Sequence, residues 1–197
     1  MDQKITNEQL SVFRNAVNNL FPVPEEDFML LSGVLHYRKY KKSEIVLQEG
    51  HVCRNFWFIL KGCFRIYRLE NKTEVNVSFF FENMIAADFV SLRHQIPSEF
   101  IIEAMEDSET LLSYKRDYIP VLNFSKSLIH LTSRFFQQKY FGEIEHSNTF
   151  KLMKPEERYH YLLKHHPKYL QRIPLTHLAS YMGISRKTLS RIRSNVA

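Results

Sequence analysis

The chain has 197 residues, enough for one large domain or two small ones with a real core. Hydrophobic residues make up 44% and charged residues 24%, and with 16 Phe, 10 Tyr, 5 Gly and 7 Pro the composition excludes a disordered or low-complexity chain. No apolar run approaches the roughly 18 residues of a membrane span. The polar N-terminus, MDQKITNEQL, lacks a signal-peptide core, so a cytoplasmic location with no membrane partner is expected. Cys53 and Cys63 make no zinc or redox spacing, and two thiols are too few for an iron–sulfur cluster. Two reduced, half-buried thiols are expected, with no cofactor and no metal.

The net charge of +6 is unevenly placed. Residues 1–120 carry 14 Lys and Arg against 17 Asp and Glu, a balance of −3. Residues 121–197 carry 13 against 4, a balance of +9. Such asymmetry fits a polyanion partner for the basic part, or a solvated basic surface.

In chain order, residues 6–20 read as a helix. Thr6 is placed to cap it, with Gln9 three residues on as a capping box requires. Leu10, Phe13, Val17 and Leu20 form its apolar stripe. Pro22 and Pro24 end it, and a short helix follows over about 25–33. From Leu35 to about Ser113, short segments alternate apolar and polar residues between turn signals. EIVLQEG turns at Gly50, and FWFILKG ends at Gly62. CFRIYRL leads to the polar tip Glu70-Asn71-Lys72, and TEVNVSFFF completes a hairpin. FIIEAME and ETLLSYK close the series. Strands at this spacing predict an antiparallel barrel or jelly roll, and the whole chain an α+β class.

Residues 117–147 switch to a helical period. Val121, Phe124, Leu128, Leu131 and Phe135 make one stripe; Leu122, Ile129, Phe136 and Tyr140 make a second. A helix apolar on two sides needs two surfaces. One stripe fits the barrel and the other a partner helix, which predicts a homodimer. The first stripe is assigned to that seam; the alternative is a helix wedged inside a monomer. The polar stretch EHSNTFKLMK, near residues 145–154, marks a domain junction. Pro155 opens a helix running to about His166, where Pro167 stops it. The expected domains are 1–116, 117–147 and 148–197.

The strongest local signal is IPLTHLASYMGISRKTLSRIRSN, residues 173–195. Leu178, Ala179 and Met182 share the inner side of a first helix. Gly183 supplies a sharp turn, and Ile184 fills it. Ser185 caps a second helix whose inner side is Thr188, Leu189 and Ile192. Its outer side carries Arg186, Lys187, Ser190, Arg191 and Arg193. Arginine can hold the O6 and N7 edge of guanine with two hydrogen bonds, and lysine can serve there or at phosphate. Double-stranded DNA is the partner this pattern predicts. Thr176, Ser185, Thr188 and Ser190 are counted with the cations as DNA-binding residues.

Over nearly its whole length the chain resembles the Crp/Fnr family of transcription regulators. Ile45-Val46-Leu47-Gln48-Glu49-Gly50, Phe58-Ile59-Leu60-Lys61-Gly62 and Phe64-Arg65-Ile66-Tyr67 carry the resemblance in the barrel. The run from Gly183 to Ile192 carries it at the C-terminus. The resemblance implies a cyclic-nucleotide-type barrel, a dimerisation helix, a winged helix-turn-helix, an RNA polymerase contact and a small-molecule effector of unknown identity. It also implies that Arg186, Lys187 and Arg191 read bases. The middle position is acidic in the best-known members, which implies a different operator here. The strands that usually follow the recognition helix are missing, so a wing is expected before it, near Tyr169 to Pro174.

Family members that bind cAMP use Gly-Glu and, about ten residues on, Arg-Ser. Here the pattern falls on Ala87-Asp88 and Ser98-Glu99. The phosphate-pairing charge is lost at Ser98, and Glu99 adds a negative one. Like charges a few Å apart repel by roughly 4 kcal/mol at an intermediate dielectric. Arg93 and His94 are the residues left to replace the missing cation. The effector pocket would draw on Ala87, Asp88, Arg93, Ser98 and Glu99, with a ligand other than cAMP, a protein signal or no ligand.

An enzyme is not expected. His36, His51 and His94 are not spaced as a metal-binding pair, and each reads as a surface or turn histidine. His160, His165 and His166 sit near a helix end, where the dipole favours them. No nucleophile elbow or phosphate-binding Gly loop is present. The second function class is a ligand-sensing module acting through protein contacts, which has no need of Arg186, Lys187 and Arg191.

Overall fold

A computed structural model describes residues 4–196. Helices α1 (Asn7–Leu20) and α2 (Glu25–Ser32) come first. The strands are β1 (His36–Tyr40), β2 (Ile45–Leu47), β3 (Asn55–Lys61), β4 (Phe64–Glu70), β5 (Thr73–Phe80), β6 (Ile85–Ala86), β7 (Ile101–Ala104) and β8 (Ser108–Tyr114). Helix α3 (Phe89–His94) interrupts them. Helices α4 (Lys115–Phe124), α5 (Lys126–Leu152), α6 (Pro155–His165), α7 (Pro167–Arg172), α8 (Leu175–Tyr181) and α9 (Arg186–Val196) complete the chain. Two compact units result. One comprises the residues through Ile66 with Phe79–Gln137; the other comprises Tyr67–Ser78 with the residues from Gln138 on.

The expected α+β class with an antiparallel, jelly-roll-like barrel is present. The strands form two four-stranded sheets, ordered β1-β8-β3-β6 and β2-β7-β4-β5. β3 and β8 are buried on both faces. Trp57 and Leu112 are paired in register and point into the barrel core with Ile59, Phe64 and Ile102. Their neighbours Phe58 and Leu111, also paired, point the other way. There they meet Phe13 and Val17 of α1 and Phe28 and Leu31 of α2. Successive side chains on a strand alternate faces, so one strand feeds two cores. Phe13 lies edge-on to Phe58 with ring centroids 4.9 Å apart. The α1 capping box forms as expected, Gln9 N donating to Thr6 Oγ1 at 3.3 Å and Thr6 N to Gln9 Oε1 at 2.9 Å.

Several expectations change. The single helix over 117–147 is two helices. The chain is extended at Ser125, where Asp27 of α2 accepts hydrogen bonds from both Ser125 and Ser127. Those two bonds hold the Asp27 carboxyl below the usual carboxylate range. α5 then runs through most of the expected polar junction to Leu152. The stripe assigned to the dimer seam is largely core. Leu128 is fully buried, Leu131 is buried, and Val121 packs on the same α1–α2 cluster. Phe135 is half-buried with its ring 5.6 Å from that of Phe89. Of that stripe, Phe124 alone stands exposed. The other stripe is the open one, with Ile129, Phe136 and Tyr140 exposed. Two stripes are legible in a sequence; which of them the barrel takes is decided by packing. Cys53 and Cys63 are fully buried, not half-buried, and burial pushes the Cys53 thiol up. Among the described residues no helix is long and apolar enough to cross a membrane.

Gly62 is the tightest turn of the barrel. Its φ is +104°, and a Cβ there would lie 2.2 Å from Ser108 Oγ. Gly62→Ala should therefore cost about 1–3 kcal/mol from backbone strain alone, plus the clash. Gly50→Ala, at φ +82° with nothing within 4 Å, should cost less. Chemical denaturation of the two variants beside the parent measures the difference.

Candidate nucleic-acid interface

The C-terminal unit holds four short helices, α6 to α9, after the end of α5. Pro155 and Pro167 each stand at the first turn of their helix, where no N–H is needed. α7 occupies the segment where a wing was expected. Tyr169 N donates to His166 O, Ile173 N donates to Tyr169 O, and the Tyr169 ring is buried. Pro167 thus starts a new helix as well as ending the previous one, and 169–174 forms no strand.

α8 buries Leu178, Ala179 and Tyr181, and Met182 follows fully buried. Gly183 takes φ +65°, which turns the chain, and Ile184 N donates back to Ala179 O. Ser185 Oγ accepts from Thr188 N at 3.0 Å and lies 2.9 Å from Thr188 Oγ1, so the cap sits where the sequence places it. α9 packs on α8 with Leu189 and Ile192 buried. Arg186, Lys187, Ser190, Arg191 and Arg193 are exposed, as are Thr176 and Ser185; Thr188 is half-buried. Arg186, Lys187, Ser190 and Arg191 border one shallow hollow with Leu175, Thr188 and Ser194. From Arg158 to Ala197 the sequence has eight Lys and Arg and no Asp or Glu, so no acid opposes this face from its own segment.

Sequence reading passed over the residue that ties this unit together. Arg158 of α6 donates through Nε to Met153 O at 2.9 Å, through Nη2 to Phe150 O at 2.9 Å and through Nη1 to Met182 O at 3.0 Å. These carbonyls lie at or just past the ends of α5 and α8, which a helix leaves without partners. The guanidinium also lies over the Phe150 ring, 5.2 Å from its centroid. A lone arginine near a helix start has no local signature, so only the fold reveals it. Ser180 of α8 is a second such residue. Its hydroxyl donates to Glu74 O at 2.8 Å and accepts from Asn76 N at 3.0 Å.

In the barrel unit, the cassette residues close on themselves. Asp88 is buried and caps α3, accepting from Val90 N at 3.0 Å and Ser91 N at 3.1 Å. Its other oxygen accepts from the buried Ser98 hydroxyl at 2.7 Å. Ser98 Oγ accepts in turn from Phe100 N at 3.0 Å. Ala87 is buried, while Arg93 and Glu99 are exposed. Arg93 and His94 lie in the last turn of α3. Lys115 Nζ is the cation at this helix, donating to Leu92 O at 2.8 Å and Arg93 O at 2.9 Å. The structure brings Ala87, Asp88 and Ser98 together and leaves Arg93 and Glu99 apart in solvent. His51 and His94 are exposed; His36 is half-buried, its ring 5.7 Å from that of Tyr114. Among the described residues no group of three His, Cys, Asp or Glu is placed to hold a metal ion.

In chain order the fold is a jelly-roll-like barrel, then helices ending in a turn and a cationic helix. Known proteins agree: residues 37–121 match the cyclic nucleotide-binding domain family. Comparison with curated proteins gives no match. Among solved structures, FixK2 from Bradyrhizobium japonicum superposes with a TM-score of 0.69 at 16% identity, over 83% of this chain and 84% of that one. CLP of Xanthomonas campestris, a c-di-GMP-responsive global regulator, gives 0.64 at 15% identity over 88% and 91%. The catabolite activator protein of Thermus thermophilus gives 0.56 at 18% identity over 92% and 86%. Residues 37–121 thus resemble that domain family, and the chain shares the fold of these three structures.

Arg158→Met keeps much of the side-chain volume and strips three carbonyls of their donor. It should lower unfolding free energy by roughly 2–4 kcal/mol, because hydrogen bonds from a charged group are lost and their acceptors are left in a half-buried site. Thermal unfolding of the variant against the parent checks this.

Proposed function

We propose that this protein is a cytoplasmic, sequence-specific DNA-binding transcription regulator of the Crp/Fnr type, acting as a homodimer. One observation carries the reading. α9 buries Leu189 and Ile192 and turns Arg186, Lys187, Arg191 and Arg193 to solvent, directly after a capped turn. An exposed helix face of this kind fits the major groove, with Arg186, Lys187 and Arg191 toward base edges. Thr176, Ser185, Thr188, Ser190 and Arg193 serve backbone and neighbouring contacts. A dimer presents two such helices about 34 Å apart to a two-fold symmetric operator.

The surface for the second copy is the open stripe of α5. Ile129, Phe136 and Tyr140 are 50%, 48% and 64% exposed, and Ile144 one turn further is 41% exposed. Large apolar side chains repeating along one helix face are a dimer seam in search of its mate. Phe136→Glu with Tyr140→Glu should convert a dimer to a monomer, read as a halved mass in light scattering. A parent that is monomeric at working concentration would contradict the seam.

The barrel does not take cAMP in this reading. Asp88 and Ser98 are spent on each other and on backbone, and the exposed acid Glu99 stands beside them. Calorimetric titration with cAMP should give no heat of binding; micromolar affinity would overturn the assignment.

Duplex binding itself separates a DNA regulator from a barrel that signals through proteins, since phosphate contacts make affinity fall steeply with salt. Arg186→Ala should cost roughly 1–3 kcal/mol on a selected operator and relax preference at one base position. An equal loss on all sequences would make Arg186 a phosphate contact.

A further inference from the structure

The C-terminal unit contains a connected run of aromatic and imidazole rings that the DNA-binding face does not use. His146 and Phe150 stand four residues apart on α5, their ring centroids 4.4 Å apart. Both meet Tyr181 of α8, at 5.4 Å and 5.3 Å. Tyr181 leads to Tyr169 of α7 at 5.5 Å, and Tyr169 to His166 at 5.3 Å. Tyr161 of α6 lies 5.9 Å from His166 and stacks on His165 at 4.5 Å. Four helices therefore meet through rings, and three of the rings are histidines.

His146 Nε2 is buried and has no hydrogen-bond partner among the described residues. A neutral imidazole tolerates this by carrying its proton on the other nitrogen. A protonated one has two N–H donors, and the buried donor would face no acceptor. The surrounding charges divide. On α5, Glu143 favours the protonated form of His146, and Lys139 shares that face one turn back. Glu145 is engaged by the Tyr161 hydroxyl at 2.5 Å. From α6, Arg158 sits over Phe150, and His165 adjoins His166. From α7 and α8 come Tyr169 and Tyr181, whose hydroxyl burial pushes well up. Burial outweighs Glu143 at His146 and holds it below the usual histidine value, whereas His166 stands exposed at the end of the run.

We propose that this ring cluster makes the C-terminal unit a proton-sensitive element, tightly packed while His146 is neutral and loosened when its imidazole takes up a proton. The sign follows from linkage. The unfolded chain binds this proton near pH 6.5 and the folded unit only at lower pH, so stability is full above about 6.5 and falls as pH drops below it. The consequence for DNA rests on the DNA-binding reading: mild acid should release the operator. Acid ordinarily does the reverse for a basic protein, because protonated surface histidines attract phosphate.

The test uses the full chain at fixed salt, with melting temperature and operator affinity measured at pH 7.5, 6.5 and 5.5 for the parent, His146→Phe and the exposed control His160→Gln. The parent and control should lose several degrees of melting temperature and bind the operator progressively more weakly as pH falls from 7.5 to 5.5. His146→Phe, which keeps a ring between Phe150 and Tyr181, should match the parent at pH 7.5 and lose much less in acid. A proton titration of the His146 ring by NMR on the parent should give a midpoint below 6.5, and decides the matter if the variant does not fold. An acid loss in His146→Phe equal to the parent's, or a His146 midpoint at or above 6.5, overturns the proposal. Absence of DNA binding at every pH overturns the DNA reading and leaves the melting and NMR arms standing.

Discussion

Everything at the C-terminus depends on the burial of one side of α9. Leu189 and Ile192 are almost fully covered, and so are Leu178, Ala179 and Met182 of the α8 segment. Each large apolar side chain contributes about 1.5–3 kcal/mol when removed from water. Turning α9 by one residue, about 100°, would trade that gain for a buried, unpaired arginine at several kcal/mol. The direction of Arg186, Lys187 and Arg191 is therefore set by apolar packing, before any nucleic acid is present. Gly183 and Ser185 fix where the helix begins, and Arg158 fixes the carbonyl ends against which it sits. A site held this way is preorganised, which keeps the entropic cost of binding low.

The barrel carries the cyclic nucleotide-binding fold with the cassette chemistry changed. The acid at Asp88 has become an N-cap and a partner for Ser98, both buried. Its negative charge is balanced by backbone N–H groups and a hydroxyl rather than by a ligand-facing cation. The same fold thus uses this acid for its own structure. In the C-terminal unit, three histidines, His146, His165 and His166, sit among tyrosines.

Legibility in the sequence followed locality. The cap at Thr6, the turn at Gly183 and the cap at Ser185 were readable because each is a contact between residues three or four apart. The barrel strands were readable from alternation and Gly turns, although β3 and β8 hide their alternation by burying both faces. What escaped was non-local. Asp27 breaks the α4–α5 helix from about one hundred residues away. The choice of buried stripe on α5 depends on Phe13 and Phe58. α3 is six residues long, and its cap was read as a ligand position. The wing expected near Tyr169 to Pro174 rested on the family resemblance alone, and Pro167, a stop signal for α6, is equally a start for α7.

The most direct measurement is a guanine methylation-protection footprint on an operator selected from random duplex DNA, with the parent and with Arg186, Lys187 and Arg191 replaced by Ala together. The account predicts that the parent protects guanine N7 in two major-groove segments about one helical turn apart, on one side of the duplex, and that the triple variant protects neither. Equal protection by the triple variant, or a parent that enriches no sequence and protects no guanine, would contradict it.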